Sequence, residues 1–271
     1  MTGARRVALL GIDGSGKSTL ARLLAERAGT GGRAVVLSSL RAHEHPDGPL
    51  RELSRHLDTL SKEADRLGSP DLKLAVLYLQ MCTYGVAERF FTRELAARVV
   101  ISERHPVLDA LAYVPLYRDG IERVGGPGRR EVLREQLAGL PPAAVAAARD
   151  WCAVLGARRD GRAVRLETLG AELVGLLGLP DARRAAELSA RFGVAAPDVA
   201  VVLDLDVETA LGRVKARGRH LEPHERAELL SRVGDGYDRA LAVFDTVRVH
   251  RVAADRPPSD LAARVARLIA L

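Results

Sequence analysis

The chain has 271 residues, of which 47% are hydrophobic and 28% are charged, so it can bury a globular core. This composition excludes a wholly disordered or collagen-like chain. Two cysteines, Cys82 and Cys152, are too few for a disulfide framework, and we expect a cytoplasmic protein.

Short apolar segments alternate with longer helical ones along the chain. The apolar segments have the length and composition of buried parallel strands. Strands are predicted at 7–12, 34–38, 99–102, 199–205 and 246–252. Helices are predicted at 17–28, 50–67, 71–98, 106–117, 129–138, 141–155, 163–177, 180–192, 207–217, 223–243 and 258–270. This alternation predicts an α/β fold in which helices connect parallel strands.

Charge and hydropathy bear on two classes of partner. The formal net charge is +6, but basic residues are interleaved with acidic ones throughout, so we expect no nucleic-acid partner. The apolar runs are far shorter than the ~20 residues that cross a bilayer, so we expect no membrane partner.

The first predicted strand leads directly into GIDGSGKST at residues 11–19, which opens a predicted helix. This fits the pattern G-x-x-x-x-G-K-[ST] in the strand–loop–helix context that it requires. Glycines let successive N–H groups turn toward an anion, and the helix N-terminus adds its positive end. We therefore predict that ATP binds here, through Gly11, Asp13, Gly14, Ser15, Gly16, Lys17, Ser18 and Thr19.

Two residues of this loop have predicted chemical roles. Lys17 can reach the β- and γ-phosphates as a catalytic residue, and the Ser18 hydroxyl can ligate Mg²⁺. The chain contains no asparagine, which excludes the guanine-reading motif of GTPases and the catalytic loop of protein kinases. ATP is therefore the expected nucleotide.

The third predicted strand ends in Glu103, Arg104 and His105. Ligands of open α/β sheets bind at the carboxyl ends of strands, so these side chains are expected near the phosphates. Glu103 can hold Mg²⁺ or accept a proton from the attacking group, and Arg104 can clamp an acceptor phosphate. The alternative to a functional role is that Glu103 and Arg104 are only an exposed charged pair at the end of a strand.

Several stretches together resemble the thymidylate kinase family. They are the loop at 11–19, the step Glu103–His105 followed by Ala112 and Tyr113, and residues 201–219 with Gly236 and Tyr237 beyond them. The resemblance implies a three-layer P-loop kinase fold with a five-stranded parallel sheet in the order 2-3-1-4-5. It also implies ATP and Mg²⁺, transfer to a nucleoside monophosphate, and a homodimer.

The resemblance assigns roles to individual residues. Glu103 corresponds to the acidic residue near the metal and the acceptor, and Arg104 to the arginine that binds the acceptor phosphate. Three catalytic arginines are expected in a mobile lid: Arg213, Arg217 and Arg219. The alternative is that they form a solvated, basic helix end. The acceptor is also expected to contact Arg41, His105 and Tyr113.

Departures from the family leave the acceptor open. Leu10 replaces a glutamate before the loop, and Cys82 or Thr83 stands where a base-reading arginine is expected. A nucleoside monophosphate is the first expectation, and a nucleoside or another hydroxyl-bearing metabolite is the alternative. A second alternative is an NTPase module that acts on a partner or nucleic acid.

The distance along the chain from Glu103 to Asp204 is longer than in that family. We therefore predict one domain, 1–271, with a helical insertion at 118–196 beside the acceptor site. The insertion either reshapes the acceptor pocket or serves packing or dimerisation. Trp151 and Cys152 are predicted to belong to the core.

Overall fold

The computed structural model describes residues 3–29, 33–123, 128–158, 161–216 and 227–271. Five strands in these ranges form one sheet: β1 (Arg5–Leu10), β2 (Ala34–Ser38), β3 (Val99–Glu103), β4 (Val199–Asp204) and β5 (Arg248–Ala253). Every pairing is parallel, and the order is β2-β3-β1-β4-β5. The predicted α/β class, parallel sheet and strand order are confirmed.

Eleven α-helices lie in the described ranges. They are α1 (Lys17–Ala28), α2 (Arg51–Arg66), α3 (Pro70–Arg93), α4 (Pro106–Arg123), α5 (Arg129–Ala138), α6 (Pro142–Arg158), α7 (Leu166–Gly175), α8 (Asp181–Phe192), α9 (Val207–Ala216), α10 (Ala227–Ala242) and α11 (Pro258–Leu268). Two 3₁₀ turns, Ala42–Glu44 and Leu176–Gly178, were not predicted.

Helices cover both faces of the sheet. Successive side chains of a strand point to opposite faces, so β1 contributes to two apolar layers. Val7 and Leu9 pack with α1 and α11, whereas Ala8 and Leu10 pack with α3 and its neighbours. Burial of such aliphatic side chains stabilises the fold by about 1.5–3 kcal/mol for each of the larger ones. β1 is therefore a central strand that is buried on both faces, as its nearly continuous apolar sequence predicts.

The central helix α3 has a defined start and an early end. The Ser69 hydroxyl accepts from the amide of Leu72, and Pro70 takes the first helical position, where its missing N–H costs nothing. The predicted helix 71–98 was too long, because α3 ends at Arg93. Ala96 then adopts φ 52°, and this turn returns the chain to β3.

The predicted insertion packs directly on α3. The indole Nε1 of Trp151 donates to the carbonyl of Leu79 at 3.3 Å. Gly85 lies so close to the carbonyl of Phe192 that a Cβ would meet it at 1.9 Å. One apolar cluster runs from the sheet through α3 into this segment, and Trp151 and Cys152 are buried in it as predicted.

Within the described ranges, no helix combines the length and hydrophobicity that a bilayer-crossing segment requires.

Candidate functional site

Residues 11–16, here called the glycine loop, join β1 to α1 at the edge where β1 and β3 end. Gly11, Gly14 and Gly16 have φ values of 142°, 88° and 95°. A Cβ at Gly14 would also lie 2.3 Å from the carbonyl oxygen of Ala210 in α9. The loop ends at Gly16, where the N-terminus of α1 presents main-chain N–H groups that attract an anion.

Lys17 is the first residue of α1 and is buried beneath the loop. Its ammonium donates to the carbonyls of Gly11 and Ile12, at 2.7 and 2.8 Å, and lies 3.6 Å from the Asp13 carboxylate. Burial, together with the Arg104 charge and against the opposing effect of Asp13, lowers the pKa of Lys17 to about 8. A nearby anion would hold this ammonium in its charged form.

Ser18 and Glu103 come from different elements and meet at the mouth of the loop. The Ser18 hydroxyl donates to Oε1 of Glu103. The second carboxylate oxygen, Oε2, lies 3.7 Å from the guanidinium of Arg41. The parallel pairing of β1 with β3 brings the two together, because it places Glu103 beside Leu9. Two oxygen ligands therefore face the loop, although the described residues include no cluster of three or more metal-binding side chains.

Arg104 lies in a buried hydrogen-bond network between the loop and α4. Its guanidinium donates to Asp13, to Asp109 at 3.1 Å and to Tyr113 at 2.9 Å. Tyr237 of α10 donates to the other oxygen of Asp109 at 2.7 Å. Burial opposes the charge, but Asp13, Tyr113 and Asp109 raise the pKa of Arg104 well above its ordinary value. Both carboxylates therefore hold the guanidinium in one position.

A cavity of about 670 Å³ opens beside the loop, and it is called the acceptor cavity because Arg41, Arg104 and Tyr113, which the sequence predicts to contact an acceptor, line it. The part beside the loop is lined by Lys17, Ser18, Arg41, Glu103, Arg104, Asp109 and Tyr113. The other part, here called the far end, is formed by α2, α3 and one residue of α4, and it is lined by Asp58, Ser61, Lys62, Asp65, Lys73, Leu77, Gln80, Met81 and Tyr117. At the far end, the buried Lys73 ammonium contacts Asp65 and donates to the Ser61 hydroxyl at 2.9 Å. Charged and polar groups therefore line both ends.

A second cavity of about 360 Å³ adjoins the glycine loop on the side of β4 and β5, because Arg213 follows β4 and Ala254 follows β5. Gly14, Gly16 and Thr19 line both cavities, so the loop lies between them. Ser15, Leu20, Arg213, Ala254, Arg256, Pro258 and Leu261 complete the lining of the second cavity. Arg213 also donates to the carbonyl of Ala254 at 3.1 Å, which anchors α9 to the end of β5.

The structure brings most of the predicted site residues together, with two exceptions. Arg213 lines the second cavity and is separated from Glu103 and Arg104 by the loop. His105 is buried, does not line either cavity, and contacts the carbonyl of Ala195 at 3.1 Å. Arg217 and Arg219 lie outside the described residues, and their predicted lid role remains a prediction.

Sequence reasoning missed Asp109 and the far end of the acceptor cavity. A signal was present in α3, where Lys73 and Gln80 interrupt an apolar helix and share one face with Leu77. Asp109 follows Arg104 by five residues in a buried helix turn, and a buried carboxylate implies a partner. Tyr237 also holds Asp109, because its hydroxyl donates to that carboxylate.

No family model matches the sequence, and no curated protein matches it either.

Proposed function

We propose that this protein is an ATP- and Mg²⁺-dependent phosphotransferase, similar to thymidylate kinases, that acts on a small molecule in the acceptor cavity. One observation carries the proposal: the glycine loop and the start of α1 lie between two cavities, with Lys17 beneath them. Such a loop can hold a triphosphate while its nucleoside lies on one side and an acceptor on the other.

The donor half of the site is the loop with the second cavity. Main-chain N–H groups and Lys17 would bind the phosphates, and the Lys17 ammonium would exchange its carbonyl contacts for phosphate oxygens. Arg213 and Arg256 flank the second cavity, which suits the nucleoside of ATP. Arg213 would then act on the donor nucleotide, while Arg217 and Arg219 remain the proposed lid.

The residues at the mouth of the loop fit magnesium. Mg²⁺ prefers oxygen ligands and is held by one or two side chains, with phosphates and waters completing its shell. Ser18 and Glu103 supply such oxygens at one point. Mg²⁺ bound with ATP would neutralise charge on the β- and γ-phosphates. The other carboxylate oxygen of Glu103, Oε2, lies 3.7 Å from the Arg41 guanidinium. At this position it could accept a proton from an attacking group.

The acceptor half is the cavity at the carboxyl ends of β1 and β3. Arg41, Arg104 and Tyr113 line it close to the loop, as the sequence predicts for residues that contact the acceptor. A concave, largely polar cavity of about 670 Å³ favours a small acceptor over the NTPase alternative, which requires a large binding surface.

Lys17→Met tests the proposal. We expect ADP formation to fall by about 10²–10³-fold because the ammonium no longer stabilises the transferred charge. A coupled ADP assay measures the loss, and the melting temperature checks the fold. Lys215→Met, on the exposed surface of α9, is the matched control. Unchanged turnover in Lys17→Met, or ADP formation that depends on DNA or RNA and not on a small acceptor, would overturn the proposal.

Two further parts of the proposal come from the sequence. The resemblance implies a homodimer, and the sparse cysteines are typical of a cytoplasmic protein. Light scattering of the purified chain measures the first, and a monomer at micromolar concentration would contradict it.

A further inference from the structure

We propose that the phosphate acceptor is an uncharged, hydroxyl-bearing compound and not a phosphate monoester, because each described cation lining the acceptor cavity already contacts a carboxylate. This inference rests on the proposed phosphotransferase function and identifies the chemical class of its acceptor. It differs from the nucleoside monophosphate that the sequence led us to expect.

Apart from Lys17, which is assigned to the phosphates of ATP, the two most buried cations that line the acceptor cavity are Arg104 and Lys73. Arg104 contacts Asp13 and Asp109, and its side chain is 15% exposed. Lys73 contacts Asp65, and its side chain is 9% exposed. Drawing either cation toward a ligand phosphate would weaken its contact with a carboxylate that is itself at most 20% exposed, and separating charges at such sites is strongly unfavourable.

The exposed cations are paired as well. Lys62 lies 2.6 Å from Asp58, and Arg41 lies 3.1 Å from Glu44 and 3.7 Å from Glu103. Such exposed pairs are weak, so each cation can move. Moving them still gives no excess positive charge, because the carboxylates of Asp13, Asp58, Asp65, Glu103 and Asp109 line the same cavity. These carboxylates would repel the dianion of a phosphate monoester.

Uncharged polar groups suit the same lining. A hydroxyl can donate to a carboxylate that stays paired with its cation, since a carboxylate accepts several hydrogen bonds. Gln80 supplies an uncharged polar side chain to this lining. It is 3% exposed, lines the cavity, and its Oε1 has no hydrogen-bond partner among the described residues. A buried amide of this kind would gain a partner from an N–H or O–H group of the acceptor.

The transfer step balances for such an acceptor. The hydroxyl oxygen forms a bond to the γ-phosphorus of ATP as the bond from that phosphorus to the β,γ-bridging oxygen breaks. ADP leaves with the electron pair of the broken bond. The hydroxyl proton passes to a carboxylate that lines the cavity and then to water. The products are one phosphate monoester, ADP and one proton.

Binding of inorganic phosphate tests the charge argument without knowledge of the acceptor. The protein is first saturated with Mg²⁺ and AMP-PNP, an ATP analogue with a nitrogen bridge, so that the glycine loop is filled. We expect millimolar phosphate to raise the melting temperature no more than chloride of equal ionic strength. Asp65→Asn, which releases the buried Lys73, should bind phosphate at least about tenfold more tightly than wild type.

Saturable phosphate binding to the wild-type complex, as tight as in Asp65→Asn, would overturn the inference and leave the phosphotransferase proposal standing. Failure of AMP-PNP to bind at all would instead overturn the proposed function, and the inference with it. A panel of nucleosides, sugars and polyols, each beside its own monophosphate, gives the second readout. We expect ADP formation with an uncharged member and with no monophosphate; preference for a monophosphate would contradict the inference.

Gln80→Leu tests the residue that contacts the acceptor. Leucine keeps the approximate size of the side chain and removes both polar groups, so KM for the best acceptor should rise about tenfold while KM for ATP stays unchanged. Gln136→Leu in α5, which does not line the described cavities, is the control. An equal change in both KM values, or none, would remove Gln80 from the site.

Discussion

Main-chain atoms of one short stretch form the glycine loop, whereas side chains from several separate elements line the acceptor cavity beside it. The loop depends on the φ angles of its glycines and on the start of α1. The cavity depends on carboxylates and cations of α2, α3, β3 and α4 that contact one another. Removing one charged side chain should therefore destabilise the cavity strongly, whereas the stability of the loop should depend chiefly on which residue replaces a glycine.

Arg104→Ala should give the largest effect on stability. The substitution leaves Asp109 and Asp13 close together without the guanidinium, and the Asp109 side chain is only 3% exposed. We expect the free energy of unfolding to fall by about 3–5 kcal/mol, which is typical when one partner of a buried pair is removed. Urea denaturation measures the loss.

Arg41→Ala is the matched comparison at the same cavity. Its side chain is 37% exposed, and its contacts with Glu44 and Glu103 are screened by water, so the loss should stay within about 1 kcal/mol. Adding Asp109→Asn to Arg104→Ala should restore part of the lost stability, because it removes a buried charge. Equal losses of unfolding free energy in Arg104→Ala and Arg41→Ala would contradict the expectation that a buried ion pair contributes more than an exposed one.

His105 is the next residue after Arg104 and should respond to pH. Burial lowers the pKa of His105 from 6.5 to about 4, so the unfolded chain takes up this proton at a higher pH than the folded chain. The contribution of His105 to the free energy of unfolding should therefore fall as pH drops from 6.5 to 4. The full loss is about 3 kcal/mol and is complete below pH 4.

His105→Gln isolates this contribution from the many carboxylates that titrate over the same range. The difference in unfolding free energy between wild type and variant should change by about 3 kcal/mol between pH 7 and pH 4. His56→Gln, on the partly exposed surface of α2, serves as the control. A difference that does not vary with pH would mean that His105 is not held neutral in the folded chain.

The parts of the molecule that are contiguous in sequence could be predicted from it. The glycine loop and the first turn of α1 lie within nine contiguous residues, 11–19, and apolar periodicity was enough for the five strands and their parallel arrangement. The end of α3 was wrong because a tertiary requirement, the return to β3 through Ala96, overrides the helical pattern.

Side-chain direction at the end of β3 was predicted only in part: Glu103 and Arg104 line the cavity beside the loop as expected, whereas His105 does not. Strand alternation places Glu103 and His105 on one face and Arg104 on the other. Arg104 instead adopts φ 65°, which ends the alternation, so that Glu103 and Arg104 both line the cavity and His105 turns to Ala195. A positive φ is rare for arginine, and the contacts that hold it come from Asp13, which is distant in the sequence, and from Asp109 in the next helix.

Gly14→Ala and Gly16→Ala give a smaller effect that separates two causes of strain in the loop. Both positions have φ near 90°, which costs about 1–3 kcal/mol for alanine. Only Gly14 adds a collision, because its Cβ would lie 2.3 Å from the Ala210 carbonyl, whereas no atom lies within 4 Å at Gly16. Gly14→Ala should therefore lose more stability than Gly16→Ala in urea denaturation without nucleotide. A displaced α9 would also carry Arg213 away, so ATP affinity should fall in Gly14→Ala. Equal losses of stability would mean that backbone strain alone limits the loop, and that its contact with α9 is unimportant.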